Sequence, residues 1–345
     1  MKHQREMIVD RKTARKPRYA SWALPLLNDP RDVEFVALML QCSALAVVGV
    51  TLFFSGPRLV YLAPFYWLVL AAGYLDRFTL MLHCASHRAL FRPKYRTLNR
   101  IVPWVLGPFF GQTPEAYFAH HVGMHHAEEN LEVDLSSTMA FQRDRLSHWL
   151  RYWGRFLSIG FVELARYLKD RGRRRLLRRL VVGESMYWAA VAALLFFRPG
   201  ATFVVFVVPL VTIRTLMMIG NWGQHAFVSA AAPDSAYGAS ATCINSRYNR
   251  RCFNDGYHIG HHLAPRCHWT EYPVEFERNL AEYGRQDAIV FEGLDFFLVW
   301  VFLMTGNWSR LARAFVRLPG APARNDDDVI RFLKERVQRI PCSVG

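Results

Sequence analysis

The stretch FNDGYHIGHH, Phe253–His262, decides how this chain is read. It places His258, His261 and His262 within five positions. Neutral imidazole ligates iron, zinc and copper, and packing gives no reason for three of them in so short a segment. On a helix, His258 and His262 share a face and His261 lies close to it. Three further groups stand upstream: His83-Cys-Ala-Ser-His87, His121-Val-Gly-Met-His125-His126 and Asn221-Trp-Gly-Gln-His225. Every group contains an i, i+4 pair, which puts both members on one helix face. Nine histidines in four places are more than one ion takes, and they suit two metals with open positions. An imidazole and water shell fits iron, which activates O2, or zinc, which supports hydrolysis.

Around these groups lie apolar runs of bilayer length. Residues 33–54 and 59–82 are joined by SGPR, and residues 181–197 and 201–219 by RPG. Each approaches the roughly 20 residues that cross the hydrocarbon core. IVPWVLGPFFG (101–111) is too short and too rich in Pro and Gly to span, so a re-entrant or interfacial segment is expected. Phe156–Leu180, with its RGRRRLLRRL run, is expected to be a basic amphipathic helix on the lipid surface. IVFEGLDFFLVWVFL (289–303) carries two acids and is expected to be an interfacial or packed helix.

A net charge of +15 suits either nucleic acid or anionic lipid, and the apolar runs decide for lipid; no nucleic-acid partner is expected. The basic residues divide unevenly. Eight lie in 1–32, 17 in 88–180 and 14 in 220–345, against one in each short turn between paired spans. Positive charge stays on the cytosolic side, so both termini and every histidine group are expected there. Arg outnumbers Lys 37 to 6, which points to a GC-rich bacterium and an inner membrane. The six cysteines form no Cys-x-x-Cys pair and read as reduced thiols. No signal peptide is read at the N-terminus. A metal transporter is disfavoured, because transporters place ligands at mid-membrane on broken helices, whereas these histidines lie at span ends and in polar segments.

HCASH, HHVGMHH and HIGHH, in that order between apolar pairs, resemble the three histidine boxes of the membrane fatty acid desaturase and hydroxylase superfamily. NWGQH is similar to the extra Asn-x-x-x-His element of acyl-CoA desaturases, and FNDGYHIGHHLAP to the third-box context of acyl-lipid desaturases. The resemblance covers roughly residues 35–275. It implies an all-α integral membrane fold of four transmembrane helices in two hairpins, with a cytosolic helical cap holding the metals. The implied organisation is a basic tail over 1–32, the membrane domain over 33–275 and a cytosolic helical region over 276–345. The implied cofactors are two non-haem iron ions, with O2 as co-substrate. The implied ligands are His83, His87, His121, His125, His126, His225, His258, His261 and His262, with Asn221 weak or bridged by water. Candidate carboxylates behind them are Glu128, Glu129, Asp134 and Asp255.

The implied activity is insertion of a double bond into a fatty acyl chain. Hydroxylation or triple-bond formation at the same site stays open. The acyl chain is expected in a lipid, on CoA or on an acyl carrier protein. The first box holds three residues between its histidines, where stearoyl-type acyl-CoA enzymes have four. No fused haem domain is present, so a separate donor such as ferredoxin with its reductase is expected. His120 is a rival to His121, and His268 is read as an ordinary polar residue. Phe109, Phe110, Tyr117 and Phe118 line an acyl pocket or simply pack. Trp149 and Trp153 read as interface anchors or packing.

Overall fold

Among the described residues, four helices are long and apolar enough to cross a membrane: Pro30–Phe54, Gly56–His87, Arg174–Phe197 and Pro199–Gln224. They fall where the four apolar runs predicted them. Their large side chains are turned outward to an extent no water-facing helix tolerates. Phe54, Val60, Tyr61, Phe65, Phe196 and Phe197 are each more than two thirds exposed. Such surfaces are covered by lipid in a spanning helix. The computed structural model describes residues 8–341, so His3 and Cys342 lie outside the described residues.

The chain divides into two compact units. Among the described residues, one comprises 8–12, 125–160 and 216–341; the other comprises 13–124 and 161–215. The second unit carries the first three apolar helices and the start of the fourth. Within it Arg214 forms an ion pair with Glu184 at 3.1 Å. Thr113 Oγ1 donates to the same carboxylate at 2.5 Å, and Trp188 Nε1 donates to its other oxygen at 3.0 Å. A charge on an apolar helix is costly unless paired in this way.

The first unit is built around an aromatic core. Trp149, Tyr152, Trp222, Phe227, Phe291 and Phe296 belong to one buried cluster. Trp149 is thus core and not an interface anchor. A fully buried arginine, Arg143, ties this unit together. Its guanidinium donates to the carbonyls of Ala226 (2.8 Å), Thr138 (3.3 Å), Met139 (3.2 Å), Phe141 (3.3 Å), Arg336 (3.0 Å) and Gln338 (2.5 Å). Burial holds its pKa down to about 9.

Three sequence expectations need correction. The fold is not wholly helical: β1 (Ala241–Ile244) pairs in parallel with β2 (Ile289–Glu292), Ala241 opposite Ile289. The run 289–303 is therefore a strand followed by the nine-residue helix Phe296–Met304. Gly293 turns the chain at φ +76°, and Asp295 caps the helix by accepting from Leu298 N at 2.9 Å. The basic stretch after Phe156 is not one surface helix. Leu146–Asp170 ends at Gly172 (φ +67°), and Arg174–Arg179 open the third apolar helix. Such a left-handed position is open to glycine at little cost and ends the helix there. Finally, the basic tail over 1–32, expected to be partly disordered, is packed from Ile8 onward, with Ile8 and Asp10 buried. Cys42, Cys84, Cys243, Cys252 and Cys267 form no disulfide among the described residues.

Candidate metal centre

β1 organises the third histidine group. Cys243 N donates to Gly256 O at 2.7 Å. Asn249 Nδ2 donates to Cys243 O at 2.8 Å, and Gly256 N donates to Asn249 Oδ1 at 3.0 Å. These bonds hold the turn that delivers the short helix His258–Leu263. Phe253 and Asn254 adopt left-handed backbone, φ 54° each, to make that turn. On the helix, His258 and His262 stand one turn apart with their Nε2 atoms 3.1 Å from each other.

The fourth apolar helix ends at Gln224, and His225 follows it, wholly buried. Its Nε2 lies 3.0 Å from Nε2 of His258. His125 completes the group: one ring nitrogen from each of His125, His225, His258 and His262 falls within 4.8 Å of the others. His126 lies beside them, with Nε2 2.8 Å from Nε2 of His261.

The outer ring nitrogens settle the tautomers. His225 Nδ1 is 2.9 Å from the carbonyl oxygen of Ala239, which can only accept. Nδ1 therefore carries the proton, and Nε2 points inward as a lone pair. His125 Nδ1 lies 2.7 Å from Asp134 Oδ2, with the same consequence. Burial, and then the nearby His125, lower the His225 pKa to about 3. Burial, and then the surrounding imidazoles, push His262 well below its usual value. Both rings are neutral at physiological pH. Inward lone pairs spaced near 3 Å match neighbouring ligands on one ion with metal–nitrogen bonds of about 2.1 Å. The donor set fits iron or zinc.

The other unit holds a second group. The helix Leu75–His87 carries His83 and His87 on its last turns. His121 Nε2 is 3.0 Å from His87 Nε2, and the His83 and His121 rings lie 4.5 Å apart. Tyr117 sits beside them, its ring 5.2 Å from that of His121.

Over residues 59–293, more than half its length, the chain matches the fatty acid desaturase family. The chain belongs to the fatty acid desaturase family. No curated protein matches it. Family membership makes it an oxidoreductase, and the desaturase boxes coincide with the two histidine groups.

The structure sorts the desaturase-box residues in a way their spacing does not. His121 and His125, four apart, were expected to work from one face. They bracket a π turn, and His121 joins His83 and His87 while His125 joins His225, His258 and His262. His121, and not its neighbour His120, is in the group. Asn221 is drawn off in a supporting direction: its Nδ2 donates to Ser136 O at 2.9 Å and to Tyr152 Oη at 2.7 Å. Of the four carboxylates considered, Asp134 is seated behind a box histidine, His125. Its position is held by Asn130 N (2.9 Å), Ser136 N (2.7 Å) and Ser136 Oγ (2.6 Å). Tyr272, whose hydroxyl lies 3.2 Å from His261 Nδ1, was not foreseen, and no sequence signal marks it. His268 is buried against Thr270 Oγ1 at 2.7 Å. Phe110 stacks on Phe78 at 4.4 Å and Phe109 packs on Phe206, so both are packing residues.

Proposed function

We propose that this protein is an O2-dependent desaturase that places a double bond in a fatty acyl chain, with one iron held by each histidine group. The observation that carries the reading is the pair of inward lone pairs enforced by Ala239 and Asp134 in a chain of the desaturase family. Iron held there supplies activation of O2 and removal of hydrogen from an unactivated C–H bond. His125, His225, His258 and His262 would hold one ion; His83, His87 and His121 would contribute to the other. The chain's own residues keep the His225 and His262 rings neutral and orient those of His125 and His225.

The balance requires an outside reductant. Two hydrogens leave the acyl chain, two electrons and two protons enter, and O2 becomes two waters. A ferredoxin with its reductase is the proposed donor. The four apolar helices cross a bacterial inner membrane as two hairpins, with both termini and the histidine groups on the cytosolic side.

The test is a mass comparison of acyl products from cells expressing the wild type or His258→Ala together with a ferredoxin pair. An acyl chain lighter by two hydrogens, absent from the variant, is expected. A product heavier by one oxygen would replace desaturation with hydroxylation, and unchanged turnover in His258→Ala would remove the metal-centre assignment.

A further inference from the structure

The unit that carries His83, His87 and His121 also contains a cleft of about 960 Å³. Five arginines line it: Arg96, Arg100, Arg175, Arg178 and Arg179. They come from two elements. Arg96 and Arg100 stand four apart in the helical turns Pro93–Arg100, and the other three share a face at the start of the helix Arg174–Phe197.

One carboxylate lines the cleft, that of Glu115, and it is already engaged. It accepts from Trp104 Nε1 at 2.6 Å and pairs with Arg179. Arg179 also lies over the Phe118 ring, 5.0 Å from its centroid. No ion pair joins Arg96, Arg100, Arg175 or Arg178 to a carboxylate among the described residues, and all four are exposed. Three of the five arginines stand at the N-terminal end of a helix, where the helix dipole disfavours cations and favours an anion. Their proximity to one another is relieved by a multivalent anion between them.

The floor of the cleft is of another kind. Leu82 and Ala85 come from the helix that bears His83 and His87, Ala89 from the segment just after it, and Val182 from the third apolar helix. Tyr117 belongs both to the cleft wall and to the surroundings of His121. A cationic rim above an apolar floor that leads to a metal group is the shape required by a phosphate ester bearing a long acyl chain. Both Leu82 and Val182 lie on candidate membrane-crossing helices, and Val182 and its neighbour Val181 are exposed. A ligand entering here keeps its tails in the bilayer throughout.

We propose that this cleft binds the phosphate head of a membrane glycerophospholipid whose acyl chain is the one oxidised. The assignment rests on the desaturase reading above, and names its acyl carrier. Arg175 and Arg178 clasp the phosphate from one side and Arg96 and Arg100 from the other, while Leu82, Ala85 and Tyr117 guide the chain towards His83, His87 and His121.

The test measures binding to the full-length, metal-free protein in non-ionic detergent. The probes are phosphatidylglycerol, diacylglycerol with the same tails, and stearoyl-CoA. Phosphatidylglycerol is expected to bind at least about tenfold more tightly than diacylglycerol, and the Arg175→Gln/Arg178→Gln double variant to lose that advantage. Arg174→Gln, on the same helix but outside the cleft, is expected to keep it. Equal binding of diacylglycerol, or an equal loss in Arg174→Gln, would overturn the proposal, the latter by reducing it to general surface attraction. Arginine-dependent binding of stearoyl-CoA without that of phosphatidylglycerol would also overturn it. Because binding is read without metal, a protein that binds phosphatidylglycerol as expected yet oxidises no acyl chain refutes the proposed function alone. One that desaturates but binds without arginine dependence refutes the cleft alone.

Discussion

Asp10 and Tyr257 are joined by a hydrogen bond of 2.8 Å across 247 residues of sequence. The same carboxylate oxygen, Oδ2, accepts from Asn245 N at 2.6 Å and Asn249 Nδ2 at 3.0 Å. Tyr257 immediately precedes His258, and Asn249 holds Gly256, so the N-terminal segment braces the third histidine box. The brace extends to Arg11, whose carbonyl accepts from Asn254 Nδ2 at 2.8 Å and whose guanidinium lies over Trp269. Asp10→Ala leaves a buried hydroxyl and amide without their acceptor, at a cost of about 2 kcal/mol. We expect a lower melting temperature and lower iron occupancy. Melting and metal content matching wild type would show that the segment does not support the box.

Asp134 sets the tautomer of His125. Asp134→Asn keeps the shape but removes the charge that strengthens the histidine as a ligand. Such changes behind a metal ligand typically lower affinity about 10–100-fold. Iron retention against a chelator, measured at equal protein stability, should fall within that range. Retention equal to wild type would count against His125 as a ligand.

Arg143→Met removes a donor shared by six carbonyls, including that of Ala226 next to His225. Six carbonyls then lose this donor, although Thr138 O keeps Phe141 N and Met139 O keeps Ile340 N. A loss of about 3–5 kcal/mol is expected in chemical unfolding. Because Ala226 is released, iron occupancy should fall with it. A variant that lost stability but filled with iron normally would show that Arg143 holds the fold and not the centre.

Gly223 lies in the NWGQH element, where an added Cβ would run into the carbonyl oxygen of Phe296. Gly223→Ala must push the helix from its neighbour and shift Asn221 and His225 with it. Activity should drop more than tenfold while the protein stays in the membrane, read by product formation per amount of membrane-bound protein. Wild-type turnover would mean that the helix adjusts without moving His225.

Much of the architecture was legible before any coordinates. Hydrophobic length marked four crossing helices, because the bilayer imposes a length that composition must meet. The histidine spacings marked the candidate ligands and carried the family resemblance. The strand pair Ala241–Ile244 and Ile289–Glu292 was not legible: both are short, their paired residues are 48 apart in sequence, and each gains its partner through the fold. Asp134 could be named only as one of four carboxylates, since seating behind a ring depends on the loop that Asn130 and Ser136 hold.

The sequence by itself determined which residue types are present, which segments suit lipid, and which histidines repeat at helical spacing. These follow from local rules: period, length and charge. The tertiary structure alone decided that His121 and His125 serve different groups, that Asn221 turns to Tyr152, and that Asp10 reaches Tyr257. Those outcomes depend on contacts between residues far apart in the chain. No local spacing encodes them, because burial and hydrogen-bond partners are assigned only when the chain has closed on itself.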